Sequence, residues 1–248
     1  MVKGMESFIE KFRDYTDCYT VIGGAACDIL MSDADLTFRA TKDIDMILIM
    51  EARRKEFAKV FWEYIREGNY RCGWKNSENV HFYRFTEPRE GYPCMIELFS
   101  REPEYVIEAP TGIAPIHIDD DTSSLSAILL DDDFYNFMLA GRKTVDDVSV
   151  LAAEYLIPFK MFAWLDLKER KARGEHVNSD DLKKHKHDVF RLLQIADRSV
   201  PIETTGHVRE SVEQYLREIQ DEDIPFDQLH LPFTMASAVS YLKELYGM

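Results

Sequence analysis

Two aspartates one residue apart, Asp43 and Asp45, open a short and largely apolar run, TKDIDMILIM (41–50). Alternate side chains of a strand share a face, so in a strand the two carboxylates stand side by side while Ile44 and Met46 turn toward the core. Two anions held this close repel each other, and the arrangement is costly unless a cation lies between them. Magnesium suits such a pair, because it takes one or two carboxylates and completes its shell with water and substrate phosphate oxygens. A pair of solvated acids at a strand start is the alternative, and Asp-x-Asp alone does not decide between the two.

Upstream, Gly23-Gly24 ends the β-rich run Tyr19-Thr20-Val21-Ile22 and precedes helical spacing over 25–31. A glycine pair in that place lets backbone approach a ligand closely and aim N–H groups at phosphate. A plain strand-to-helix turn would look the same. The combination is more specific than its parts: strand, Gly-Gly, helix, then a strand opening Asp-x-Asp, with 18 residues between the glycines and Asp43.

Three further residues have types and settings that point to chemistry. Glu97 sits in CMIELFS, where a carboxylate is expensive to bury unless paired or bound to metal. It completes a three-carboxylate, two-metal site if its strand neighbours that of Asp43 and Asp45; the alternative is an edge-strand glutamate facing water. Lys160, in IPFKMFAWLDL, is in line at helical spacing with Ile157, Ala163 and Trp164, so an apolar face carries one ammonium. Such a lysine either reaches a triphosphate or snorkels past the core edge. Asp188, in KKHKHDVFRLL, lies beside the stripe of Leu182, Val189, Leu193 and Ala196. Spacing alone favours a solvated face for it, with Lys184 as a partner four residues before. His185 and His187 are two apart and do not share a helix face, which argues against a metal site there. The basic run KERKAR (168–173) reads as the charged end of a helix.

The elements that must position these residues follow from periodicity and punctuation. Helical spacing covers 6–15, and 53–67 reads as an amphipathic helix ending at Gly68-Asn69. Strand-like runs cover 70–72, 79–85 and 95–100, with the Pro- and Gly-containing stretch 87–93 as the hairpin connection between the last two. The acidic, serine-rich DDDTSS (119–124) marks a change of character. Beyond it the sequence predicts helices over 152–173, ended by Gly174, from an N-cap at Ser179 to about 197, and over 205–220 and 232–246. The fold class is therefore α+β: residues 1–120 form a short mixed sheet with flanking helices, and 121–248 form a mainly helical domain. The stretch 125–151 is still able to lend strands to the first.

Composition bounds the rest. Hydrophobic residues at 46% and charged residues at 30% describe an ordinary globule, and no apolar run approaches the ~20 residues of a membrane span. The charged start MVKGMESFIEKF lacks a secretory apolar core, which points to the cytoplasm. Cys18, Cys27, Cys72 and Cys94 form no C-x-x-C pair and read as small buried hydrophobes. A net charge of −15 excludes indiscriminate DNA binding, suits a basic partner, and leaves open a polyanion held through metal ions.

The segments GGAACDIL, FRATKDIDMIL and MIELFS resemble the nucleotidyltransferase (polymerase β-like) superfamily. R-x-T-x-D-I-D after a Gly-Gly helix is most similar to the AbiEii-like branch, the toxin subunits of abortive-infection systems, whose helical second half also carries a lysine and a later aspartate. The resemblance spans most of 22–193. It implies a nucleotidyltransferase fold and magnesium-dependent transfer of a nucleoside monophosphate from an NTP to an acceptor hydroxyl. Gly23, Gly24 and Thr41 would bind the nucleotide, Asp43 and Asp45 the magnesium, with Glu97 as third carboxylate. Lys160 would contact the triphosphate, and Asp188 would be a catalytic or positioning acid. An RNA or protein acceptor and an antitoxin are the implied partners, with no membrane. Gly-Gly stands where the plainest pattern has Gly-Ser, Glu97 where the superfamily often has Asp, and Lys184-His185 where an acidic motif is usual. A small-molecule adenylyltransferase of the aminoglycoside kind and a non-catalytic nucleotide-binding module are the alternatives.

Overall fold

The computed structural model describes residues 2–49, 54–76, 81–100, 115–116 and 131–248. They divide into two units. The first takes the described residues up to 116 together with Arg142–Leu151, and the second takes Asp131–Gly141 and Ala152–Met248.

The first unit is built on an eight-stranded mixed sheet. Its strands are β1 (Tyr19–Ile22), β2 (Asp43–Leu48), β3 (Arg71–Asn76), β4 (His81–Thr86), β5 (Met95–Ser100), β6 (Pro115–Ile116), β7 (Arg142–Val145) and β8 (Val148–Leu151), in the order β6-β3-β4-β5-β2-β1-β8-β7. The β1–β2, β3–β4, β4–β5 and β7–β8 pairs are antiparallel, while β1–β8, β2–β5 and β3–β6 are parallel.

One face of this sheet carries an aromatic core. Helix α1 (Met5–Phe12) buries Met5, Phe8 and Phe12, and α3 (Arg54–Glu67) buries Phe57, Phe61, Tyr64 and Ile65, each at the spacing of a single helical stripe. Phe8 meets Tyr19 edge-on at 5.6 Å, Phe12 lies 5.9 Å from Phe61, and Phe61 and Trp62 lie 5.4 and 5.7 Å from Phe85. Pairs of this kind contribute about 0.5–1.5 kcal/mol each beyond the area they bury. Helix α2 (Gly23–Asp33) is buried at every position from Ala25 to Met31, as expected of a helix that is apolar nearly all round.

The β7–β8 hairpin explains why the units are not contiguous stretches divided at 120. Asp146 and Asp147 form its two-residue loop with φ of 46° and 61°, the primed turn whose twist matches the flanking strands. Arg142 then ties the hairpin to β1: its Nε donates to Thr20 Oγ1 at 2.8 Å, and its Nη2 to the carbonyls of Thr16, Asp17 and Tyr19. Thr20 and Ser149, both buried, share a hydroxyl hydrogen bond of 3.0 Å. Strand signals thus reappear inside the expected helical half, and this hairpin belongs to the first unit's sheet.

The described part of the second unit contains α4 (Asp132–Ala140), α5 (Ala153–Ala172), α6 (Ser179–Leu193), α7 (Gly206–Glu218), extended by a 3-10 turn at Ile219–Asp221, and α8 (Met235–Leu245). Pro158 lies inside α5 without ending it. A proline at that position cannot donate to the carbonyl of Glu154, and the phenol of Tyr246 supplies the missing donor at 2.7 Å. Burial in turn pushes the Tyr246 phenol well above its ordinary pKa, so it remains a donor. Helix α6 is capped by Asn178, whose side chain accepts from the Asp180 N–H at 2.9 Å, so Ser179 is its first residue rather than its cap. Gly174, at φ 85°, follows α5 as expected.

Cys18, Cys27 and Cys72 are buried, whereas Cys94 is exposed at the start of β5, against the expectation of four core cysteines. The acidic segment 119–124, and 79–80 ahead of β4, lie outside the described residues. No described helix is long and apolar enough to cross a membrane.

Candidate active site

Register brings the chemical residues of the first unit into one row. Ile22 pairs with Asp45, Asp45 with Glu97, and Glu97 with Arg84, so four neighbouring strands align these positions side by side. Cross-strand partners share a face and neighbouring strands lie about 4.8 Å apart. Asp43 stands two residues from Asp45 on the same face, beside Met95. Asp43, Asp45, Arg84 and Glu97 are each partly exposed there, next to buried Ile22, Ile47 and Phe99 on the same face, whereas Ile44, Met46, Tyr83, Phe85, Ile96 and Leu98 on the other are all buried. Three carboxylates from two parallel strands therefore lie together on one accessible side of the sheet.

The row ends at Ile22, and α2 begins at the next residue. Gly23 has φ 67°, and a Cβ there would overlap the carboxylate of Asp45. Only glycine meets both conditions, since it has no side chain and adopts positive φ freely. A Cβ on Gly24 would lie 2.7 Å from Thr41 Oγ1 and 3.8 Å from an Arg39 Nη atom. The Gly-Gly turn, Thr41 and Asp45 are thus mutual neighbours. The N-cap residue of α2, Ile22, makes no side-chain cap hydrogen bond, and no acidic residue lies in the first turn of the helix. Its first N–H groups and the positive end of its dipole therefore stand next to Asp45 as a place for an anion. Hard carboxylate oxygens are groups that can hold a divalent cation, and a helix start is a place that favours an anion.

Glu97 is not an edge residue, because β5 runs between β4 and β2. Arg84 holds it: Nε donates to Oε1 at 2.7 Å and Nη2 reaches the same oxygen at 2.7 Å, with side-chain exposures of 28% and 13%. Arg84 was absent from the candidates read in the sequence. Its signal is a lone cation in HFYRFT and a lone acid in MIELFS, facing each other across a hairpin. Among the described residues, Asp43, Asp45 and Glu97 do not form a set whose ligand atoms all lie within 4.8 Å of one another.

Lys160 and Asp188 belong to the second unit and are bonded to each other, Nζ to Oδ2 at 3.4 Å. Asp188 has no exposed surface, which overturns the solvated face suggested by its spacing. Arg191, one turn later on α6, reaches its other oxygen at 3.2 Å, while Lys184 pairs with Asp181 instead. Lys160, at 4% exposure, is likewise buried rather than snorkelling. A buried ion cluster of this kind holds α5 against α6, and removing one partner strands a charge in the interior.

A set that does place its ligand atoms within 4.8 Å is Asp131, Asp133 and His207, a trio that the sequence reading also missed. Asp131 caps α4 by accepting from the N–H groups of Asp133 and Phe134. Asp133 accepts from the His207 N–H at 2.9 Å in the first turn of α7, and the His207 ring contacts Asp131. Gly206 makes room for this, since a Cβ there would overlap the Asp133 carboxylate. The trio thus links two helix N-termini. The hydrogen bond to Asp131 raises the His207 pKa above its ordinary value. Burial pushes the Asp131 carboxyl up, but the His207 and Phe134 hydrogen bonds outweigh it and leave the group below its ordinary value.

No family model matches the chain. No curated protein matches it either. Solved structures similar to it include an antigenic nucleotidyltransferase-like protein from Paracoccidioides brasiliensis, at 14% identity and a TM-score of 0.49, covering 95% of this chain and 89% of that one. JHP933 from Helicobacter pylori is similar at 10% identity and a TM-score of 0.42, covering 98% and 87%. The Megavirus polyadenylate synthase is similar at 11% identity and a TM-score of 0.41, covering 88% of this chain and 36% of that one.

Two outcomes are expected. Asp188→Ala costs about 3–5 kcal/mol in chemical denaturation, and Lys160→Met with Asp188→Leu recovers most of it; a single variant within about 1 kcal/mol of wild type contradicts the buried cluster. The raised His207 pKa makes its contribution complete below pH ~6.5 and lost as pH rises through the raised value, and the lowered Asp131 pKa makes its contribution complete above pH ~4 and lost on acidification. The difference in melting temperature between wild type and His207→Gln is therefore larger at pH 5.5 than at pH 9, and an equal difference at both pH values contradicts the pairing.

Proposed function

We propose that this chain is a magnesium-dependent nucleotidyltransferase that moves a nucleoside monophosphate from an NTP to an acceptor hydroxyl. The observation that carries the reading is the contact of Gly23 with Asp45, which puts the start of α2 beside a carboxylate pair. Asp43 and Asp45 are the residues that would hold the metal, and their all-oxygen, half-exposed setting fits it. Magnesium bound there would neutralise phosphate charge and lower the pKa of the attacking hydroxyl.

The chain's own groups supply positioning. The N–H groups that open α2 would donate hydrogen bonds to phosphate oxygens, aided by the helix dipole. Gly24 lets phosphate come close to backbone, and the Thr41 hydroxyl beside it donates a hydrogen bond. Without a cation the Asp pair repels a triphosphate, so the nucleotide enters as its metal complex. Glu97 lies in the same row, bound by Arg84. Lys160 and Asp188 hold each other inside the second unit, and no step of the transfer is assigned to either.

The acceptor is proposed to be a macromolecule, RNA or a protein hydroxyl. The motif R-x-T-x-D-I-D, running from Arg39 to Asp45, supports the narrower reading of an abortive-infection toxin with an antitoxin partner.

Incubation with each α-labelled NTP, magnesium and total cell RNA tests the reading. Wild type is expected to transfer label, and the Asp43→Ala/Asp45→Ala variant to lose at least about a hundredfold in rate, in line with removing a catalytic metal site. Equal transfer by wild type and variant overturns the site. Tight NTP binding without transfer favours a nucleotide-binding module, and label found only on a small molecule removes the macromolecular acceptor.

A further inference from the structure

Asp131 and Asp133 at the start of α4 and His207 at the start of α7 bring two carboxylates and an imidazole together, each offering a ligand atom within 4.8 Å of the others. All three belong to the second unit, whereas Asp43 and Asp45 belong to the first. Helix capping accounts for only half of the oxygens in this arrangement. Asp131 Oδ1 accepts from the N–H groups of Asp133 and Phe134, and Asp133 Oδ2 accepts from that of His207 at 2.9 Å. Asp131 Oδ2 is turned instead to the His207 ring, and Asp133 Oδ1 accepts no hydrogen bond among the described residues. Asparagine or serine would cap a helix as well as aspartate does, so the caps alone do not call for two acids and a histidine. We propose that Asp131, Asp133 and His207 form a zinc site that clasps the start of α4 to the start of α7. The site is independent of the nucleotidyl-transfer reading and gives the chain a metal of different chemistry from the one proposed at Asp43 and Asp45.

The donor set decides the metal. Imidazole nitrogen together with carboxylate oxygen suits zinc, whereas magnesium takes oxygen alone. Three protein ligands are what an open zinc site uses, with water in the fourth position, and the His207 side chain at 65% exposure leaves solvent free to fill it. Ligand atoms of one tetrahedral zinc lie about 3.4 Å apart, so side-chain movements of about an ångström complete the shell. Charge favours the ion as well. Each helix start carries about half a positive charge, so two carboxylates outweigh both helices by about one negative charge. Neither acid has a lysine or arginine partner among the described residues, in contrast to Glu97 and Asp188.

The test is calorimetric titration of the full chain with zinc, magnesium being present throughout to fill oxygen-only sites, read beside the nuclear magnetic resonance of the histidine ring nitrogens. Wild type is expected to bind zinc and to shift the ring signals that His207→Gln lacks. His207→Gln, and Asp131→Asn/Asp133→Asn, which keeps an acceptor oxygen for both caps, are each expected to weaken that binding at least about tenfold. Asp43→Ala/Asp45→Ala is expected to bind zinc as wild type does.

Zinc bound equally by wild type, His207→Gln and the Asp131/Asp133 variant overturns the inference. So does a wild type that takes up no zinc, or zinc that leaves the His207 ring signals unmoved. Loss of the zinc in an Asp43/Asp45 variant whose circular dichroism spectrum matches wild type overturns it too, by placing the ion at that pair. If the Asp131/Asp133 variant does not fold, His207→Gln and the wild-type ring signals decide.

Discussion

The contact between the backbone of Gly23 and the carboxylate of Asp45 constrains the site more than any other. It exists because β1 pairs with β2 in a register that sets Ile22 beside Asp45, and because β1 runs straight into α2. A side chain at position 23 would displace the carboxylate and would also be strained at φ 67°, so two separate requirements select the same residue. The sheet order β5-β2-β1 then brings three segments distant in sequence to one spot: the glycine turn, the aspartate pair and Glu97. The aromatic packing of α1 and α3 occupies the opposite face, while Asp43, Asp45, Arg84 and Glu97 stay partly exposed on this one.

Charge is handled alike in both units. Glu97 is met by Arg84, Asp188 by Lys160 and Arg191, and Asp131 by His207, each partner coming from a different element or a different turn. A carboxylate taken out of water without such a partner would cost several kcal/mol, on the order of the whole stability of a domain. Asp43 and Asp45 differ from Asp188 in keeping a half-exposed position, where a hydrated ion can reach them. Burial thus separates the acid that organises helices from the acids proposed to bind the metal.

Much of the candidate site is readable in the sequence because it is local. Gly23-Gly24 between a β-rich run and a helix, and Asp43-x-Asp45 at a strand mouth, declare themselves by residue type and short-range spacing. The parallel pairing of β2 with β5 was the condition set for Glu97 to join them, and the structure meets it. What was hidden depends on pairing across distance. Arg84 makes sense only once the β4–β5 register is known, and Asp188 looked solvated because a periodicity count does not see Lys160 on another helix. The β7–β8 hairpin was obscured because Asp146-Asp147 lacks the glycine that normally signals a primed turn. The His207 trio joins residues more than seventy positions apart, and no local pattern announces it.

The most direct test of the central claim is an anomalous diffraction map at the manganese edge, from crystals grown with manganese and a non-hydrolysable NTP analogue. The account predicts a peak between the carboxylates of Asp43 and Asp45, with phosphate oxygens lying over the N–H groups of Gly23 and Gly24. Nucleotide bound with no peak at that pair, or manganese at Asp131, Asp133 and His207 alone, would contradict it.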